Sequence, residues 1–392
     1  MIRALILEET GVYFRGFVIV LGLSMLLRGK YEIYMAQHII GRRATITGTP
    51  DGVLLRQLAR RVLLRSSLVC AVLLVVTADL DIQAPQLQTI LQTYLPFVLA
   101  VPCVSLSSLL GEALRAANRT LGIVVAAYAV NLSMLLAVVL APSDASIAFY
   151  SWAFLLGSLV STGAAAALAW RAFPVARGAG RLRICREALQ GVDSRELIGL
   201  ARGLLLWGPL CVLAVWAPPT QMAQYAVAAR TALIVDMFLP ALNLTGSRET
   251  LMAAAAQRIQ APRRLLLRQL AAALVYSSAF VVPLLVLAPA TLALYGKPYD
   301  SQLTVYALLL GVQWANGVGR PAVRHAVVEW NARRIGVAVG SGAVAVVLIC
   351  ALGVTAYGAL AAAVASLIGA LIVNGRAIGM ALQAQAIHAG PK

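Results

Sequence analysis

The chain has 392 residues, of which 61% are hydrophobic and 12% are charged, whereas about 25% of the residues in a soluble domain are charged. Its net charge is +17 and its mean hydropathy is +0.84. This composition excludes a soluble globular enzyme, a disordered protein and a secreted disulfide scaffold. It favours a protein embedded in a membrane, where the basic excess belongs to the loops on one side rather than to a nucleic-acid surface.

Eleven segments are long and apolar enough to be predicted as transmembrane helices, because about 20 apolar residues cross the hydrocarbon core. The first is the weakest, since only 12 residues separate Arg15 from Arg28, and an amphipathic stretch at 31–40 is a candidate continuation of its helix. The second is also short, and its helix is predicted to begin within the basic segment 56–66. The longest polar connections are predicted at 28–66, 171–196 and 246–269. The eleven segments have the approximate extents 12–27, 67–80, 90–112, 120–141, 147–170, 197–217, 222–245, 270–295, 303–319, 335–354 and 358–383.

The basic residues predict the orientation of these helices. When the connections are numbered in order, alternate ones hold 28 of the 32 arginines and lysines. A split this uneven indicates that these connections are cytoplasmic, and it places the C-terminus on the same side. It also supports the number of spans, because one missed helix would exchange the sides of every later loop.

The basic segment near the middle divides the chain into two lobes. We predict an N-terminal lobe of about five helices at 1–175, a cytoplasmic basic linker at 176–196, and a C-terminal lobe of six helices at 197–392. Parallel internal repeats need an even number of spans each, so that both repeats start on the same side of the membrane. Six helices in the second half therefore imply six in the first. The predicted fold class is an all-α integral membrane protein, with about 11 helices in two lobes around a central cavity.

Four segments resemble polysaccharide flippases of the Wzx type, members of the multidrug/oligosaccharidyl-lipid/polysaccharide (MOP) exporter superfamily. The segment EETGVYFRGFVIVLG at 8–22, followed by LSMLLR, resembles the start of that family's second helix. The segment QYAVAARTALIVDMFLPALN at 224–243 resembles its eighth helix. The segment at 292–331 is similar to its ninth-to-tenth helix junction, and GALAAAVASLIGALIVNGRAIGM at 358–380 to its last helix.

The resemblance implies a lipid-linked oligosaccharide as cargo, carried on undecaprenyl diphosphate across the bacterial inner membrane. It also implies membrane lipids as partners, H⁺ or Na⁺ as a coupling ion, and contact with polysaccharide polymerase or export proteins. The family usually has twelve or fourteen helices, and its first helix has no counterpart here. We expect a start codon upstream, in preference to a departure of this protein from its fold.

Arg230 and Asp236 are the first candidate cavity residues, because charges inside a membrane are costly and usually face a cavity or a partner. Arg230 lies inside an apolar segment, and Asp236 follows six residues later, on another face of the helix. We expect Arg230 to contact the anionic cargo and Asp236 to line the cavity or couple an ion. The alternative is an arginine that extends to the interface, with Asp236 paired to a neighbouring helix.

Asn316, Arg320 and Arg324 are spaced four apart and therefore share one helix face. Arginine forks suit a diphosphate, although a basic cluster at an inner helix end also arises from orientation alone. Arg28 lines the inner mouth of the cavity or is solvated, and the sequence does not separate the two.

Glu112 and Arg115 are one turn apart, which favours a structural ion pair. Glu112 is also a candidate for ion coupling, because a partly buried carboxylate can titrate near neutral pH. Asn374 lies inside a span and is predicted to hydrogen-bond between helices. The pair Gly336 and Gly340, four residues apart, is predicted to be a helix-packing face.

Three other functions compete with flipping. A membrane polymerase or ligase needs a sizeable outer loop with catalytic side chains, and these outer loops are too short. A small-molecule exporter of the same superfamily is the second possibility, and an inactive or scaffolding member of a polysaccharide assembly complex is the third. No phosphate loop, zinc motif or nucleophile elbow is found, so the sequence predicts no enzyme activity, no cofactor and no metal.

Overall fold

The computed structural model describes residues 7–44, 51–83, 87–117, 136, 139–140, 146–174, 194–235, 263–329 and 332–387. Within these ranges the chain is all-helical, with eleven α-helices, one 3₁₀ helix and no strand, which confirms the predicted fold class. Helices suit apolar segments in lipid, because every backbone donor and acceptor is satisfied inside the segment. The helices are α1 (Leu7–Ala44), α2 (Asp51–Gln83), α3 (Leu87–Ala116), α4 (Ile147–Ala172), α5 (Ser194–Trp216), α6 (Pro219–Ala232), α7 (Arg263–Val286), α8 (Ala288–Ala293), the 3₁₀ helix Lys297–Gln302, α9 (Leu303–Glu329), α10 (Ala332–Tyr357) and α11 (Ala359–Ile387).

Six of these helices are long and apolar enough to cross a membrane by length and composition. Most of the predicted span 120–141, and the end of the span 222–245, lie outside the described residues. The six segments are Leu7–Arg28, Thr93–Arg115, Ile147–Ala172, Leu266–Val286, Gly336–Tyr357 and Ala359–Gln383, and a shorter apolar segment covers Gly203–Trp216.

The chain divides into two compact units, Met1–Leu200 and Ala201–Lys392. Helix α5 begins in the last residues of the first unit and continues into the second. Most of the predicted linker 176–196 lies outside the described residues. The lobe boundaries at 175 and 197 therefore stay a prediction.

Most of the predicted polar connection 28–66 is helical and belongs to two long helices. Helix α1 continues to Ala44, and α2 already begins at Asp51. The reason is that this segment has its own apolar face: Tyr31 and Met35 of α1 and Leu58 of α2 are buried in one cluster. The cluster also contains residues from the C-terminal ends of α3 and α4, so α1 and α2 are packed here rather than solvated.

An aromatic cluster holds α1 against α3 and α4 in the first unit. The ring centres of Tyr13 and Phe97 are 5.3 Å apart, and those of Phe97 and Phe154 are also 5.3 Å apart. Gly16 lies so close to the Phe97 ring that a Cβ atom there would overlap with it. A glycine at this position therefore permits the close contact between α1 and α3.

In the second unit, α10 and α11 approach each other through Gly342 and Gly369. A Cβ atom on either glycine would come within 3.3 Å of the carbonyl oxygen of the other. The predicted packing face on Gly336 and Gly340 is wrong for Gly340, because a Cβ there would meet nothing within 4 Å. A four-residue spacing of glycines does not show which residue faces a neighbouring helix. In α10 that residue is Gly342.

Candidate functional site

Arg230 lies near the end of α6 and is half-buried. Its guanidinium carbon is 5.7 Å from the ring centre of Trp207 on α5. This is a cation–π contact, which is stronger where water is excluded. The side chain is thus held against another helix.

Two hydrogen bonds fix helix α6 relative to its neighbours. The hydroxyls of Tyr225 and Ser366 on α11 are 2.9 Å apart, and both residues are buried. Thr231 is hydrogen-bonded to the hydroxyl of Tyr295 at 3.0 Å. Because Thr231 follows Arg230 directly, these contacts also fix the backbone from which the guanidinium extends.

Asn316 of α9 accepts a hydrogen bond from Asn374 of α11. The amide nitrogen of Asn374 is 3.0 Å from Asn316 Oδ1, and it also donates to the carbonyl of Ala370 at 2.8 Å. The predicted interhelical role of Asn374 is confirmed. Asn316, expected in the cavity wall, is half-buried and uses its carbonyl oxygen to join two helices.

Arg320 lies one turn beyond Asn316 on the same face of α9 and is half-buried. The backbone of Arg324 continues this helix, and its side chain lies outside the described residues. Asp236 also lies outside them. Within the described part of the second unit, the structure therefore provides three of the predicted site side chains, those of Arg230, Asn316 and Arg320.

Arg28 is half-buried at the end of the first apolar segment, Leu7–Arg28. A second arginine, Arg15, lies inside the same segment, is half-buried and hydrogen-bonds Tyr94 of α3. Arg15 lies inside the predicted first span, 12–27, but was not selected as a candidate site residue. Its position within an apolar segment is the same signal that selected Arg230.

Glu112 and Arg115 form an ion pair at the end of α3. Glu112 Oε1 and Arg115 Nη1 are 3.0 Å apart, and the side chains are 31% and 61% exposed. The pair is the one favoured from the spacing. Among the described residues, no group of three histidine, cysteine, aspartate or glutamate side chains could hold a metal ion.

No protein-family model matches this chain, and no curated protein matches it. Solved structures do match over nearly the whole length. One is an inward-facing multidrug resistance MATE transporter of the MOP superfamily, with a TM-score of 0.63, 12% identity, and coverage of 98% of this chain and 95% of the other. Another is the Vibrio cholerae MATE transporter VcmN, with a TM-score of 0.62, 15% identity, and coverage of 98% and 90%.

The lipid II flippase MurJ in an inward closed conformation is also similar, with a TM-score of 0.58 and 12% identity. The match covers 98% of this chain and 89% of MurJ. At such identities the likeness concerns the fold and leaves the cargo open. The chain is therefore a multi-pass membrane protein with the fold that MATE transporters of the MOP superfamily share with the lipid II flippase MurJ.

Proposed function

We propose that the protein flips an oligosaccharide repeat unit, linked to undecaprenyl diphosphate, across the bacterial inner membrane. The mechanism is alternating access, in which inward-facing and outward-facing forms interconvert. The fold supports a transport role, because similar structures include a lipid flippase and drug exporters. The cargo combines a dianionic head, many hydroxyl groups and a long apolar tail. Its translocation requires cations and hydrogen-bonding groups at membrane depth.

The observation that carries the proposal is a set of half-buried arginines on helices of both units, two of them in the apolar segment Leu7–Arg28. Arg15 and Arg28 lie in the first unit, and Arg230 and Arg320 lie in the second. A guanidinium inside a membrane is costly, so such residues usually mark a substrate path. Arginine is also suited to phosphate, because its planar fork donates two parallel hydrogen bonds to adjacent oxygens.

We assign the diphosphate first to Arg230, whose guanidinium is oriented by Trp207. Arg320 and Arg324, one turn apart on α9, and Arg28 would complete the cationic path. Asn316 and Asp236 would contact sugar hydroxyls. Asp236 or Glu112 would couple transport to H⁺ or Na⁺, and the C-terminus would be cytoplasmic.

A small-molecule exporter is the second candidate, because MATE transporters share this fold with TM-scores from 0.54 to 0.63, a range that includes the 0.58 of MurJ. The two candidates differ in the chemistry of the cargo. A flippase needs the arginines for an anionic diphosphate, whereas an exporter of cationic drugs would be hindered by them. An inactive member of an assembly complex would tolerate loss of the arginines.

The test is mass spectrometry of lipid-linked oligosaccharides from membranes of the source bacterium, with and without the gene. We expect a complete undecaprenyl-diphosphate repeat unit to accumulate without it and to disappear again with the wild-type gene. Arg230→Gln should fail to restore the wild-type level, whereas Arg268→Gln, which removes an exposed charge from α7, should succeed. Unchanged intermediates together with increased drug sensitivity would favour the exporter, and no change in either would favour the inactive member.

A further inference from the structure

One end of the first unit exposes a group of arginines on α2. Arg56, Arg60, Arg61 and Arg65 are all exposed. The guanidinium carbon of Arg65 is 5.3 Å from the ring centre of Tyr31, so this side chain is held on α1. Arg60 and Arg61 lie on the side of α2 that faces away from the packed core.

The opposite face of α2 shows how deep these arginines lie. Leu58 and Val62 pack in one cluster with Leu114 of α3 and with Ala169 and Phe173 of α4. Those residues are at or next to the ends of the apolar segments Thr93–Arg115 and Ile147–Ala172. Arg60 and Arg61 are therefore level with the ends of two predicted spans, where the headgroups of a bilayer begin.

An exposed apolar stripe continues directly from this arginine pair. Leu64 and Leu68 are 60% and 65% exposed, and Val75 further along is 69% exposed. At 3.6 residues per turn, Leu64 and Leu68 point between the directions of Arg60 and Arg61. On this surface, two guanidinium groups thus lie beside the apolar stripe, which continues towards the membrane interior.

We propose that this surface, Arg60 and Arg61 with Leu64 and Leu68, binds an anionic glycerophospholipid of the surrounding bilayer. The guanidinium groups bind the headgroup phosphate, and the leucines contact an acyl chain. Basic clusters at the membrane surface attract anionic lipids by about 1 kcal/mol per residue, whereas a zwitterionic headgroup has no net charge to attract. This surface lies entirely in the first unit, Met1–Leu200, and its lipid is independent of the identity of the proposed cargo.

The test is a lipid titration of the purified full-length protein, followed by native mass spectrometry. Phosphatidylglycerol and phosphatidylcholine with the same acyl chains are compared. We expect the wild-type protein to prefer phosphatidylglycerol, and Arg60→Gln with Arg61→Gln to weaken its binding about 30-fold. Phosphatidylcholine, whose phosphate charge is offset by its choline, should lose much less, and both side chains are exposed, so the variant should fold.

The matched control is Arg268→Gln with Arg376→Gln, which removes two charges from exposed positions in the second unit. It should bind phosphatidylglycerol as the wild-type protein does. Equal binding of both lipids by the wild-type protein, or equal losses in both variants, would overturn the proposal. A higher affinity for undecaprenyl phosphate than for phosphatidylglycerol, lost in the Arg60 and Arg61 variant, would assign this surface to the cargo and would also overturn it.

Discussion

Asn374 donates a hydrogen bond to Asn316 at 3.0 Å, and this contact joins α11 to α9 where the two helices approach closely. Gly319, three residues after Asn316, permits the approach, because the Asn374 side chain occupies the space where a Cβ of residue 319 would lie. The hydrogen bond between the two asparagine side chains and the glycine at position 319 thus support the same contact between α9 and α11. Arg320 follows Gly319 directly, so the position of a proposed cargo residue depends on this contact.

Removal of the hydrogen bond between the side chains of Asn374 and Asn316 should destabilise the second unit modestly. For Asn374→Ala and Asn316→Ala we expect an interaction energy of about 0.6 kcal/mol and at most about 1.7 kcal/mol, the mean and the maximum measured for hydrogen bonds between membrane helices. The measurement is a double-mutant cycle of unfolding free energies in detergent, which separates the pair from the volume lost at each site. Additive single effects would contradict a direct contribution of the bond.

Gly319→Ala should destabilise the protein by overpacking. The new Cβ would overlap with Oδ1 of the Asn374 side chain, so one of the two helices must move. Overpacking of this kind costs about 1–3 kcal/mol. The unfolding temperature in detergent reports the loss.

Gly375→Ala is the matched control for this prediction. Gly375 is the neighbour of Asn374 on the same helix, and a Cβ there would meet nothing within 4 Å. The substitution should be neutral or stabilise by up to about 1 kcal/mol, because alanine is the better helix former. A wild-type unfolding temperature for Gly319→Ala, or equal losses for both variants, would show that the two helices are not in close contact.

The sequence predicts helix positions well where apolar runs are long and uninterrupted. The segment 147–170 corresponds to α4 at Ile147–Ala172, and 335–354 corresponds to α10 at Ala332–Tyr357. It predicts helix ends less well where a helix continues beyond its apolar run. The amphipathic stretch 31–40 indicates a continuation of the first helix, and α1 does run to Ala44, because Tyr31 and Met35 give the extension a buried face. The second helix was expected to begin within 56–66, whereas α2 begins at Asp51.

The candidate site is predictable only in part, because composition identifies buried charges and not their neighbours. The position of Arg230 inside an apolar segment was sufficient to select it. Its stacking on Trp207, 23 positions earlier in the chain, depends on how α5 and α6 pack. Arg15 lies inside the predicted span 12–27 but was not selected, because the sequence does not show that its partner is Tyr94 on another helix.

Arg230 and Trp207 should contribute to transport in different ways. Arg230→Gln should abolish transport, because it removes the charge that binds the diphosphate. Trp207→Leu keeps the arginine but removes a cation–π contact of about 0.5–2 kcal/mol, so we expect partial loss. The measurement is flipping of a lipid-linked oligosaccharide in proteoliposomes, normalised to folded protein.

Arg230→Lys separates charge from geometry at the same position. Lysine keeps the positive charge but lacks the planar fork, so we expect activity between those of the wild-type protein and Arg230→Gln. Wild-type transport per folded molecule for Arg230→Gln would remove Arg230 from the site. Equal loss in all three variants, with lower unfolding temperatures, would assign it a structural role.

Glu112 and Arg115 provide a matched pair of variants for ion coupling. The pair is partly exposed, with side chains 31% and 61% accessible, so its loss should cost no more than about 1 kcal/mol of stability. Glu112→Gln and Arg115→Gln both break the ion pair, but only Glu112→Gln removes a titratable carboxylate. If Glu112 couples transport to protons, Glu112→Gln should abolish the response of transport to a pH gradient, and Arg115→Gln should retain it.

The measurement is transport in proteoliposomes with and without an imposed gradient. A retained response in Glu112→Gln would exclude this carboxylate and leave Asp236 as the remaining candidate.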